Sequence, residues 1–290
     1  MHNLLVISEH FSIQDPLAYQ TACTLSKQSK AKISLLTTVY DSAYEQVGLL
    51  SDKERDKYKQ ALLDDAKKDA QALTSDNKSV THITRWNKDL ELAVDDVCHL
   101  DHYDLIIKTG HRSETLFHTP SDFKLLELPK VPVMILRRSS WRSKPVILAT
   151  IDLSHQDEEQ HLLNHKVLSH ARQMADLKGA ELHLCYVVTY SQALVDLDIL
   201  DKHKLYNKFE QEQLQDLYQL ASDYRIDRDH IHIKMGVVEK AIPSIANEIK
   251  ADLVVLGTHR RKGLSRVMIG NHCEKILSIM RTDILAIKPD

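Results

Sequence analysis

Seventeen histidines and one dense basic run are the residues of this chain best suited to chemistry. The run comprises His259, Arg260, Arg261, Lys262 and Arg266, and it lies between Gly257 and Gly270. Glycines let a backbone fold closely around an anion, and a helix start beyond them offers unpaired N–H groups and a positive dipole end. Guanidinium groups at such a place supply charge-assisted hydrogen bonds to phosphate. Arg260 can equally fill the phosphate position with its own side chain. In the plainer reading Gly263 and Gly270 serve turns and Asn271 caps a helix.

The other candidates resolve into ordinary surface. His161 and His165 have the i,i+4 spacing of a metal clamp, but they lie about 200° around a helix from Leu163 and face away from its apolar stripe. The residues between them lack the glutamate of a zinc-protease helix. His230 and His232 share one side of a strand, which needs no special explanation. Asp89, Glu91, Asp95 and Asp96 sit at a helix start beside Trp86 and suit the dipole there. Neither a nucleophile elbow nor a Walker loop occurs. No catalytic residue and no metal site is assigned.

What positions these residues is a duplication. Asp104 to Arg112 (Asp-Leu-Ile-Ile-Lys-Thr-Gly-His-Arg) and Asp252 to Arg260 (Asp-Leu-Val-Val-Leu-Gly-Thr-His-Arg) are versions of one phrase, 148 residues apart. Each half opens with an apolar run, Leu4 to Ile7 or Val146 to Ile151. The loops Phe11 to Asp15 and Leu153 to Asp157 match. A helix follows, striped by Ala18, Ala22 and Leu25 or by Leu163, Val167, Ala171 and Met174. Buried strands come next at 31–39 and 180–188, then charged helical segments at 51–73 and 202–224. Short strands at 81–86 and 230–235, another striped helix, the repeated phrase and a last strand (131–136 or 284–287) complete each half. Apolar strands alternating with helices specify a parallel sheet covered on both faces, and right-handed crossovers make it doubly wound. Two α/β domains are expected, 1–138 and 145–290, joined by the polar segment 138–144.

Composition bounds the partners. A net charge of −3 with 27% charged residues gives no sign of a general nucleic-acid binder. No apolar run reaches the ~18–20 residues that cross a bilayer, and the N-terminus lacks a signal-peptide pattern. Cys23, Cys98, Cys185 and Cys273 form no Cys-x-x-Cys pair, which argues for a reducing cytoplasm.

The order of elements, the duplication and the run Gly257 to Asn271 resemble the universal stress protein family, in its form with both domains on one chain. The likeness covers essentially the whole chain. It implies a strand order of 3-2-1-4-5 in each domain (Rossmann-like), pairing of the domains about a pseudo-twofold axis through the last strands, and a role in stress endurance that includes resistance to DNA-damaging agents. Nucleotide-binding members carry glycine, two residues, glycine, nine residues, glycine and then serine or threonine. Gly257 and Gly270 match the first and last glycines, whereas Arg260 replaces the second and Asn271 the hydroxyl. By the same resemblance Asp152 is the acid near base and ribose, Val187 and Leu256 line the base pocket, and His259 and Arg260 belong to the phosphate loop. ATP is therefore a candidate cofactor in the second domain only. In the first domain His10 occupies the position of Asp152 and Gly110 is followed by no further glycine. The implied order also brings His10 near His111, with His118 in reach, but two neighbours are not a metal site.

The leading expectation is a non-enzymatic cytoplasmic stress-response protein. Its rivals are an ATP-binding switch or weak ATPase using the second domain, and a carrier of a small amphipathic or anionic metabolite. Association of two such chains into a homo-oligomer is left open.

Overall fold

In the computed structural model, the residues described are 1–9, 16–46, 51–110, 124–126, 130–137, 140–154, 157–258, 275–276 and 278–289. The chain divides into two units, Met1–Ser139 and Ser140–Asp290. The first carries β1 (Asn3–Glu9), β2 (Lys32–Val39), β3 (Thr81–Trp86), β4 (Leu105–Thr109) and β5 (Val133–Leu136). They lie parallel in the order β3-β2-β1-β4-β5. The second carries β6 (Val146–Ile151), β7 (Glu181–Thr189), β8 (Ile231–Gly236), β9 (Leu253–Gly257) and β10 (Asp283–Ile287). Its order is β8-β7-β6-β9-β10, again parallel. Both sheets thus have the doubly wound order 3-2-1-4-5, and the central strands are buried along almost their whole length because helices cover both faces.

The duplicated phrase has a structural reason that its first residue reveals. Asp104 Oδ2 accepts from the backbone N–H of Asn3 at 2.9 Å, and Asp252 Oδ2 accepts from that of Val146 at 2.9 Å. Each aspartate therefore pins the start of a unit's first strand to the start of its fourth. Asp252 also receives Arg142 Nη2 at 3.0 Å. Burial pushes its carboxyl up, but the Arg142 side chain and the Val146 amide outweigh that and hold it below its usual value.

The segment read as a linker is partly recruited by the second unit. Trp141 Nε1 donates to Asp283 at 2.7 Å, and Lys178 lies over the Trp141 ring at 5.5 Å. The single helical segment expected at 202–224 is two helices, Lys202–Glu212 and Leu214–Asp223. The break falls at Gln213, whose side chain accepts from Tyr186 Oη at 3.0 Å and donates to the Leu153 carbonyl at 3.4 Å. Those ties draw Gln213 toward the sheet. Asp89 does sit at the N-cap of Leu90–Leu100, but its side chain makes no capping bond there. Cys23, Cys98 and Cys185 are free thiols, and Cys273 lies outside the described residues.

Candidate functional site

At the carboxyl ends of β6 and β9 the second unit encloses a cleft of about 420 Å³. This is the switch point of a doubly wound sheet, where the crossovers leave in opposite directions and open a crevice. Asp152, Val187, Leu256 and Gly257, all singled out from the sequence, line it. His259, Arg260, Gly270 and Asn271 lie outside the described residues, as do His10, His111 and His118.

The helix Glu158–Lys178 builds one wall. It begins with Asp157, whose side chain accepts from the Gln160 amide at 2.8 Å. One turn on, Gln160 and Asn164 are both buried, at 2% and 4% exposure. Asn164 Nδ2 donates to the Asp152 carbonyl at 2.6 Å, and Asn164 Oδ1 accepts from the Asp152 amide at 3.1 Å. Gln160 Nε2 donates to the same Oδ1 at 2.8 Å. A carboxamide thus engages both backbone polar groups of Asp152 and fixes where that residue leaves the strand. The Asp152 carboxylate accepts from the Ser154 amide at 2.8 Å and from Ser154 Oγ at 2.5 Å, which closes a small turn at the mouth.

The donor pattern also orients Gln160. Because Asn164 must present nitrogen to a carbonyl, its oxygen faces Gln160, and Gln160 must present nitrogen in turn. The remaining atom, Gln160 Oε1, is buried with no partner among the described residues. Leaving such an acceptor dry costs about 1–3 kcal/mol.

Gly257 has a packing role here. A Cβ at this position would stand 2.9 Å from Leu163 Cδ2 and 3.0 Å from Leu163 Cγ. The bare backbone lets the strand end press against the helix that walls the cleft, which is a third use of glycine beyond turns and phosphate approach. Leu163, Val167, Val187, Ile242 and Leu256 make the interior mainly apolar.

Strand register corrects one reading. Leu4 and Ile147 occupy the same position in their sheets, since they pair with Leu105 and Leu253. Counting on from them puts Glu9, rather than His10, at the position of Asp152. By the same ladders Thr38 stands for Val187 and Lys108 for Leu256. The matched loops had suggested His10 because they align one residue out of step with the strands. His165 departs too from the expected solvated face: its Nδ1 lies 2.9 Å from Tyr224 Oη, and its Nε2 lies 3.3 Å from His161 Nε2. Burial first, and then His161, push its pKa down. Sequence reasoning missed Gln160 and Asn164, although two carboxamides four apart beside Leu163 on the apolar stripe were a legible signal.

Comparison with known proteins agrees with this fold. Residues 1–137 and 147–288 each match the Universal stress protein family. The Universal stress protein E homolog of Haemophilus influenzae is 31% identical, over 90% of this chain and 88% of its own length. Universal stress protein E of Escherichia coli K12 is 28% identical, over 99% and 94% respectively. Among solved structures, a functionally unknown protein from Pseudomonas aeruginosa superposes with a TM-score of 0.75 at 24% identity, covering 100% of this chain and 93% of its own. A universal stress protein from Archaeoglobus fulgidus gives 0.64 at 17% identity, covering 99% and 96%, and these two show the fold alone. With both halves matched and the expected sheet order present twice, the chain belongs to the universal stress protein family, as a tandem-domain member.

Proposed function

We propose that this chain is a non-enzymatic stress-response protein of the cytoplasm whose second domain holds a small ligand, ATP being the favoured occupant. The observation that carries the reading is the switch-point cleft of about 420 Å³, within the ~300–1,000 Å³ range of small-molecule sites. Its apolar walls suit a planar base, and Asp152 suits a ribose hydroxyl. His259, Arg260, Gly270 and Asn271 would meet the phosphates. Bound ATP would act by favouring the conformation that holds it, without reacting. Family membership supports the stress role, and tolerance of DNA-damaging agents is the proposed output. We take the functional domains to be 1–138 and 145–290.

Calorimetric titration of ATP into the ligand-free chain tests this, with native mass spectrometry on the same sample. Micromolar binding at one equivalent, lost in Leu256→Trp, is the expected result. Absent binding overturns the nucleotide reading, and ATP turnover overturns the non-enzymatic one. The dominance of apolar lining favours one rival, a carrier of an amphipathic metabolite. A co-purified small molecule in the native spectrum would replace ATP with that ligand.

A further inference from the structure

At the far end of β7 from the cleft, the second unit gathers four metal-ligating side chains on one face of the sheet. Glu181 and His183 alternate along β7, so they point the same way. On the adjacent, parallel β8, Leu184 pairs with Ile231 and Cys185 with His232, which brings His230 and His232 alongside them. The His183 ring stacks on His230 with centroids 4.2 Å apart and planes at 23°, and on His232 at 5.1 Å and 12°. His183 Nδ1 lies 2.8 Å from His232 Nε2, within hydrogen-bond distance. On its other side His183 Nε2 lies 3.9 Å from Glu181 Oε2. One donor atom from each of Glu181, His183 and His230 lies within 4.8 Å of the other two.

We propose that Glu181, His183 and His230 bind a divalent transition-metal ion of the zinc class, with His232 as the outer partner that orients His183. Two imidazoles and one carboxylate are a donor set for Zn²⁺, Co²⁺ or Ni²⁺, whereas Mg²⁺ and Ca²⁺ take oxygen. Ligating histidines characteristically engage their second nitrogen in a hydrogen bond that fixes tautomer and ring plane, which is the place His232 holds here. With His183 Nδ1–H donating to His232 Nε2, the His183 Nε2 lone pair is left toward Glu181 and His230. A tetrahedral ion at about 2.0–2.1 Å from each ligand needs donors about 3.3 Å apart. Closure onto an ion requires the exposed Glu181 to swing in and the half-buried His230 to turn out of its stack on His183, so that both imidazole lone pairs converge. His183 is buried, while Glu181 stays exposed and leaves an entry path.

The cluster is no by-product of the fold. The equivalent positions of the first sheet, found by strand register, are Lys32, Ser34, Thr81 and Ile83, which offer no such ligand set.

The test uses the full chain without an affinity tag, stripped by chelator and titrated with Zn²⁺ and Co²⁺. One equivalent of Zn²⁺ retained in native mass spectrometry is expected. So are a Co²⁺ visible absorption band typical of tetrahedral nitrogen–oxygen ligation and a rise in Tm on adding Zn²⁺. Glu181→Gln and His230→Gln, which alter partly exposed side chains, should each weaken binding by tenfold or more, with far-UV circular dichroism confirming the fold. His161→Ala should change nothing. Binding that survives Glu181→Gln/His230→Gln, or that is lost in His161→Ala, overturns the site. So does wild-type affinity no better than millimolar, and that result needs no variant to fold.

Discussion

The two units share a sheet order and differ in the helix that follows the first strand, which in the second unit walls the cleft. Leu17–Ser29 and Glu158–Lys178 both end on a left-handed residue, Lys30 with φ 60° and Gly179 with φ 60°. Aligned from those ends, buried Ala18, Tyr19, Ala22 and Leu25 coincide with buried Val167, Leu168, Ala171 and Met174. In the second unit the first turns of this helix carry Gln160, Leu163 and Asn164, whose counterparts by this alignment, residues 11, 14 and 15, lie outside the described residues. The sheet positions agree with the contrast: Thr38 and Lys108 in the first unit replace Val187 and Leu256. The duplicated scaffold is common to both units, while these two sheet positions are polar in the first and apolar in the second.

Exchanging these residues tests the contrast most severely. In the first unit Lys108 is 2% exposed, with its Nζ 3.3 Å from the Thr109 carbonyl among its interactions. Moving that residue type across, as Leu256→Lys, should destabilise the second unit by on the order of 4 kcal/mol and abolish ligand binding, because its surroundings are built for a hydrocarbon. Lys108→Leu should cost less, about 1–3 kcal/mol, because it removes a buried polar group together with its own desolvation but leaves its partners unmatched. Urea denaturation of both variants makes the comparison, and equal losses would show that the two crevices are alike.

Acid should separate the units next. The His183 pKa of about 4 lies below the ordinary ~6.5 of an unfolded histidine. In the metal-free chain its contribution is therefore intact above pH 6.5 and is lost as the pH falls through 4. The first unit has Ser34 at that position. Hydrogen exchange followed from pH 7 to pH 4.5 should show opening rise more in the second unit than in the first, and His183→Ser should narrow the gap. A uniform response would assign the acid sensitivity to other groups.

Gly257→Ala places a methyl against Leu163 and should cost about 2 kcal/mol by overpacking, read as a lowered urea midpoint. Thr109→Gly, at the matching place in the first unit, should do less. The smallest effect concerns the helix ends. Lys30→Gly should stabilise by about 0.5–1 kcal/mol, and Gly179→Lys should destabilise by about 1, because only glycine adopts the left-handed region without Cβ strain. Thermal melts of the two variants should move in opposite directions.

How far the sequence discloses all this follows from the range of the interactions involved. The strands were legible because burial on both faces makes them continuous apolar runs, as in Val146–Ile151. The Gly257, Asp152, Val187 and Leu256 cluster was reachable through resemblance. The break at Gln213 was not, because it depends on Tyr186 and Leu153, distant in sequence. His10 was preferred over Glu9 because loops were matched by residue type, whereas hydrogen-bond ladders set the true correspondence. The histidine cluster was invisible for a related reason. His183 and His232 are 49 residues apart, and only the register of two parallel strands brings them together.

The orphan oxygen of Gln160 carries a consequence for rigidity. The side chain cannot flip to offer its nitrogen without breaking its bond to Asn164, so the run from Gln160 through Asn164 to Asp152 has a single hydrogen-bonding arrangement. The helix therefore holds the end of the strand in one state, and the mouth of the cleft keeps its shape without help from an occupant.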